Sequence, residues 1–126
     1  MTNDPSAIAT TTQAIDVPLL LDRCMDDAAV ALLVLGSFQE NAAESLAEMA
    51  RFVQQQDAEA VARRAHAMKG TAGAIAATSL MEAASRLEQA ACSAMSNEMT
   101  GLMQSLSAEM QRCLGSLPDV RKTLGA

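Results

Sequence analysis

Residues 57–77 read DAEAVARRAHAMKGTAGAIAA, and the way this stretch divides its residues between two faces decides the fold. Val61, Ala65, Met68, Ala72 and Ile75 follow one another at steps of four, three, four and three. That spacing lines one side of an α-helix. The only histidine of the chain, His66, lies roughly 130–140° from the middle of that stripe at 100° per residue, on the solvent side. Around it on the same side come Ala62, Gly70, Gly73 and Ala77, none with a side chain larger than methyl. A glycine inside a helix costs about 1 kcal/mol relative to alanine, and this helix carries two within one turn of each other. Asp57 supplies an N-cap and Glu59 sits near the positive end of the macrodipole. The helix gives up stability to strip cover from one imidazole, which suits a partner that must come very close.

Outward from this stretch the chain reads as all-α. Pro5, Pro18 and Pro118 lie near the ends, so no proline interrupts Leu19 to Leu117. Runs of Val, Ile, Thr and Tyr that would make strands are missing. Asp16 is placed to cap a short first helix with Pro18 in its first turn and Leu19, Leu20 and Cys24 facing inward. Asp26 and Asp27 mark the next start, and Leu35, Phe38, Ala42, Leu46, Met49 and Val53 form the stripe of a long helix reaching about Gln55. After the histidine helix, Leu80, Ala84, Leu87 and Ala91 repeat at helical spacing. A last helix uses Met99, Leu102 or Met103, Leu106, Met110, Cys113 and Leu117 and is expected to stop at Pro118. Four amphipathic helices with short joins imply an antiparallel up-down four-helix bundle with a short additional N-terminal helix. The expected organisation is a polar, flexible lead-in over residues 1–14, the bundle over 15–118 and a tail over 119–126.

Composition narrows the function. Nine Lys and Arg against fifteen Asp and Glu give a net charge of −6, which offers no nucleic-acid footprint. Yet Arg63, Arg64 and Lys69 flank His66, a local basic spot that suits an acidic or phosphorylated partner, although taken alone the arginines read better as the solvated surface of a helix. Cys24, Cys92 and Cys113 are odd in number and widely spaced, which fits reduced thiols in a cytoplasmic protein. The N-terminus has no signal-peptide pattern, and the apolar run from Ala28 to Leu35 is too short to insert in a membrane. One histidine and three scattered cysteines do not converge on a metal. A thiol hydrolase pairing Cys92 with His66 lacks any oxyanion loop. The nine methionines read as adaptable core filler where aromatics are absent, with a Met-rich binding surface as the lesser reading.

The run His66-Ala67-Met68-Lys69-Gly70, followed by Gly73, Ile75, Leu80 and the pair Leu87-Glu88, resembles the histidine-containing phosphotransfer (HPt) domains of multistep phosphorelays. The resemblance spans about Asp16 to Leu117 in helix order and spacing, with Asp57 where that family usually has an aspartate. It implies that His66 accepts a phosphoryl group from an aspartyl phosphate on a receiver domain and passes it to another receiver aspartate. Lys69 then meets the phosphoryl oxygens as a point charge, and Ala62, Arg63, Gly70, Gly73 and Ala77 receive the partner. The implied partners are response-regulator receiver domains, a hybrid sensor histidine kinase, or both, met by a monomer. The chain has no GxGxxG or GxxxxGK run and hence no ATP site of its own. It reads as a phosphocarrier without a cofactor, the Mg²⁺ of phosphoryl transfer being expected on the receiver. One departure is visible: Ala76 stands where many members have glycine. Alanine is the better helix former, so a slightly longer histidine helix is expected, ending near Ala76 or Ala77, with Thr78 or Ser79 capping the next. The competing reading is a non-phosphorylated helical adaptor that binds a partner through the same face or through the Met-rich surface.

Overall fold

The structure, a computed structural model, describes residues 13–93 and 96–125. It contains five helices: α1 (Val17–Arg23), α2 (Ala28–Gln54), α3 (Ala58–Ala74), α4 (Thr78–Cys92) and α5 (Ser96–Thr123). No strand occurs among the described residues. The first three helices start where the sequence places a carboxylate. Asp16 accepts from the Leu19 amide at 3.1 Å, Asp27 from Ala29 at 3.0 Å and Asp57 from Ala60 at 3.2 Å. Each bond satisfies one of the amides a helix start leaves open.

Cross-helix pairs fix the direction of each element. Glu48 of α2 meets Arg64 of α3, His66 of α3 meets Glu88 of α4, and Gln39 of α2 accepts a hydrogen bond from Arg121 of α5. These pairings run antiparallel around a four-helix bundle, with α3 and α4 sharing the most extensive packing. α1 lies across one end, where Leu20 and Cys24 join the core. The core stripe of α3 is buried as its spacing predicts: Val61, Ala65, Met68, Ala72 and Ile75. Leu46 is the exception on α2, half-buried rather than buried. No polar side chain is buried among the described residues, so the core between the helices is held by hydrophobic contact and the polar cross-helix pairs lie at its rim. Met49, Met68, Met99, Met103 and Met110 lie inside it, which removes most of the material for a Met-rich surface.

Three expectations need correction. The histidine helix is shorter than expected, ending at Ala74, and Ala76 adopts a left-handed φ of 58°. The Ala77 amide reaches back to the Ala72 carbonyl at 2.9 Å and the Ala76 amide to Gly73 at 3.1 Å. This is a Schellman termination, whose left-handed residue is usually glycine. Burial of Ile75, Ala76 and Ala77 in a three-residue reversal outweighs alanine's preference for continuing the helix. Second, α4 has no side-chain cap: its N-cap is Ala77, fully buried, where a polar side chain would be buried with it. Third, α5 does not stop at Pro118 but runs to Thr123. The buried series Met99, Met103, Leu106, Met110, Cys113 and Leu117 continues at the same spacing to Val120, and Pro118 is exposed on the opposite side. Of the expected lead-in, residues 1–12 lie outside the described residues, while Ala14 is buried in the core.

Candidate functional site

Burial of Val61, Ala65, Met68 and Ala72 sets the rotation of α3, and that rotation turns His66 out of the bundle. Its side chain is 69% exposed. The ring does not float: Nδ1 lies 2.9 Å from Oε2 of Glu88 on α4. The other oxygen of the same carboxylate, Oε1, lies 3.0 Å from Nζ of Lys69. One carboxylate therefore holds both the imidazole and the ammonium. The Lys69 hydrogen bond, against some desolvation and with help from His66, holds the Glu88 carboxyl below the usual carboxylate range. An ionised carboxylate has no proton to give, so Nδ1 is the donor and carries the hydrogen. That choice of tautomer leaves the lone pair on Nε2, the nitrogen away from Glu88.

The surroundings sort the expected partner-binding residues. Gly70 is exposed, and a methyl group added there would meet nothing within 4 Å. Ala62 is half-buried, and Arg63 is exposed and tied to Glu59 at 3.0 Å in an i, i+4 pair. Gly73 is less open than its helical angle suggested. A methyl there would lie 3.6 Å from Sδ of Met81 and 3.9 Å from Nη1 of Arg23. Its carbonyl also accepts a hydrogen bond from the Arg23 guanidinium. Ala77 is not on the face at all: α3 has already ended, and the residue is fully buried in the reversal. The open ground beside His66 is therefore Ala62, Arg63 and Gly70. Arg64, the remaining cation of the basic spot, is engaged with Glu48 of α2 at 2.9 Å.

Glu88 is the residue whose role sequence reasoning missed, although it stood in the quoted Leu87-Glu88 pair. The signal was available in the hairpin. In two antiparallel helices joined by a tight turn, residues equally far from the turn come together. Glu88 follows Ala77 by as many positions as His66 precedes it, and Gly73 and Met81 meet by the same rule. Among the described residues no group of three His, Cys, Asp or Glu side chains is arranged to hold a metal ion. No helix among them is long and apolar enough to cross a membrane.

An exposed imidazole with one nitrogen fixed, the other bare, and an ammonium one turn away is equipped to take up and hold a phosphoryl group. The family model described as Hpt domain matches residues 33–120. The chain belongs to the Hpt domain family, a family of phosphotransfer modules whose members work with receiver domains and kinases. Neither a curated protein nor a solved structure matches the chain.

Proposed function

We propose that the protein is a phosphorelay carrier in which His66 takes a phosphoryl group from a receiver aspartyl phosphate and hands it to another receiver aspartate. The observation that carries this reading is the clamp on the ring: Glu88 takes Nδ1 at 2.9 Å and leaves Nε2 as the nucleophile on an uncovered helix face. The Nε2 lone pair attacks phosphorus, the bond from phosphorus to the aspartyl oxygen breaks, and the receiver carboxylate departs with the electron pair. Lys69 is the positive group nearest the incoming oxygens. It has only to leave Oε1 of Glu88 to reach them, and at 36% exposure its side chain is partly free to swing. The Mg²⁺ that offsets phosphoryl charge in such transfers is assigned to the receiver, as no carboxylate cluster accompanies His66 among the described residues. The carrier is expected to act in the cytoplasm as a monomer, since its core stripes are satisfied within one bundle. The test is to mix the protein with a phosphorylated receiver and look for an acid-labile, base-stable phosphoryl group. The wild type should acquire it and His66→Gln should not; equal labelling of both would remove His66 from the reaction.

A further inference from the structure

We propose that Arg23 of α1 is a docking residue for the receiver, its guanidinium taking a carboxylate on the rim of the receiver's active site. The inference rests on the phosphoacceptor reading above and extends it to a helix that carries none of the chemistry.

The balance of charge on the His66 face leads to this residue. The carrier has a net charge of −6. A receiver that supplies an aspartyl phosphate beside Mg²⁺ presents carboxylates, since carboxylates hold that ion. Two acidic surfaces have to meet, so the attraction must come from local cations. The cations that flank His66 in sequence are already engaged by carboxylates of their own chain: Arg63 by Glu59, Arg64 by Glu48 and Lys69 by Glu88. Arg23 differs. Its Nη1 donates to the neutral carbonyl of Gly73, and it takes part in none of the ion pairs among the described residues. Of the carboxylates around it, Asp27 caps α2 through the Ala29 amide, while Asp22, Asp26 and Glu82 of α4 are exposed.

Geometry puts this guanidinium in line with the imidazole. Gly73 follows His66 by close to two full turns, so it points the same way about 10 Å further along α3. A methyl group on Gly73 would come 3.9 Å from Nη1 of Arg23, whereas one on Gly70, between them, would meet nothing within 4 Å. Imidazole, open ground and guanidinium are thus within reach of one partner surface. Buried Leu20 and Cys24 fix the last turn of α1, and the Asp16 amide ties its start to the Ala76 carbonyl at 3.0 Å. The Gly73 carbonyl already accepts from the Ala76 amide at 3.1 Å, so it does not need Arg23 to be satisfied. That bond anchors one arm of the guanidinium and leaves the rest of the fork to match a carboxylate. A side chain held in place beforehand gives up little freedom on binding.

Arg23→Gln tests this, because it removes the charge from an exposed side chain. Wild type and variant are titrated with the receiver that labels His66 in the test above, phosphorylated by acetyl phosphate with Mg²⁺. At about 0.1 M salt the variant should need about tenfold more receiver for half-maximal transfer, with the maximal rate unchanged. At about 1 M salt the two should converge. Arg23→Lys keeps the charge and should recover most of the loss. Phosphoramidate, a small donor with no docking surface, should load His66 in all of them at the same rate. Equal half-saturation of wild type and Arg23→Gln at low salt, or a difference that salt does not reduce, would overturn the proposal. So would a lower Tm with unchanged half-saturation, which would leave Arg23 a helix cap only. If Arg23→Gln does not fold, the Arg23 Nε–H signal of the wild type is followed by ¹⁵N NMR as receiver is added. It should move along the binding curve, and a signal that stays in place overturns the proposal. Failure of the wild type to load at His66 from either donor would instead bring down the phosphoacceptor reading, and this inference with it.

Discussion

On the proposed function Gly70 sets helix stability against receiver docking, and the size of the conflict can be worked out. The residue lies inside α3, one turn after His66, and a methyl group there would meet nothing within 4 Å. Gly70→Ala therefore gains the full difference in helix propensity, about 1 kcal/mol, with no steric charge against it. For a chain of 126 residues, an unfolding entropy of about 2.1 cal/mol/K per residue turns this into a rise in Tm of roughly 4 °C. Gly70→Gln should gain a few tenths of a kcal/mol less, because glutamine ranks slightly below alanine in a helix. A stability screen would keep both substitutions. On the proposed function the receiver approaches this face, and the second substitution should be rejected, since a glutamine at 70 puts a long side chain on the open helix surface one turn from His66. We expect at least about a tenfold loss of receiver binding, about 1.4 kcal/mol, with transfer falling in parallel. Thermal melts followed by circular dichroism give the first quantity, and calorimetric titration with a receiver gives the second. A Gly70→Gln protein that melts higher and still transfers at the wild-type rate would show that nothing docks on this face. A fall in Tm for Gly70→Ala would show that a contact has been overlooked.

Lys69→Ala should slow transfer about tenfold to a hundredfold yet cost less than about 1 kcal/mol of stability, since its pair with Glu88 is partly exposed; a large drop in Tm with normal kinetics would reverse that assignment. Because the Glu88 carboxyl titrates below its ordinary value of 4.5, its contacts stabilise the fold at neutral pH and are lost as acid protonates it. The stability difference between wild type and Glu88→Gln in urea titrations should accordingly close below pH 4.5. Of the three thiols only Cys92 is exposed, and burial pushes Cys113 up to about 11. A disulfide reagent at neutral pH should therefore modify Cys92 quickly and the other two only at the rate of unfolding. Pro118→Ala should raise stability by about 1–3 kcal/mol, because it restores an amide to a helix that already continues past it; an unchanged Tm would mean that the turn around Pro118 is already relaxed.

The parts of this protein legible in its sequence are those that helical periodicity controls. Three aspartates announced three helix starts, and the stripe through Val61 and Ile75 placed His66 on the outside. What escaped was set by packing between helices. Ala76 looked like helix because alanine favours helix in isolation, but the hairpin needs a left-handed residue there. Pro118 looked like a stop because its ring breaks the amide ladder, but Val120 beyond it is worth burying. Gly73 and Ala77 shared an angle with His66 on a helical wheel. A wheel shows neither Arg23 and Met81 closing over the first nor the end of the helix before the second. Glu88 was visible as part of a motif, yet its task emerges only when α4 folds back along α3.

The strap across the end of α3 bears on where this protein can be cut. The family match begins at Leu33, inside α2, and a fragment trimmed to it keeps His66, Lys69 and Glu88. It discards Asp16, whose amide serves the Ala76 carbonyl at 3.0 Å, and Arg23, which serves Gly73. It also uncovers the apolar floor that Ile15 and Leu20 now occupy. The end of the histidine helix would then be sealed only by its own reversal, through a residue in an unfavourable conformation. In the intact chain the amides of that last turn should exchange with solvent only when α1 lifts away. The stretch that contains His66, Lys69 and Glu88 is therefore shorter than the stretch whose contacts close the end of the histidine helix.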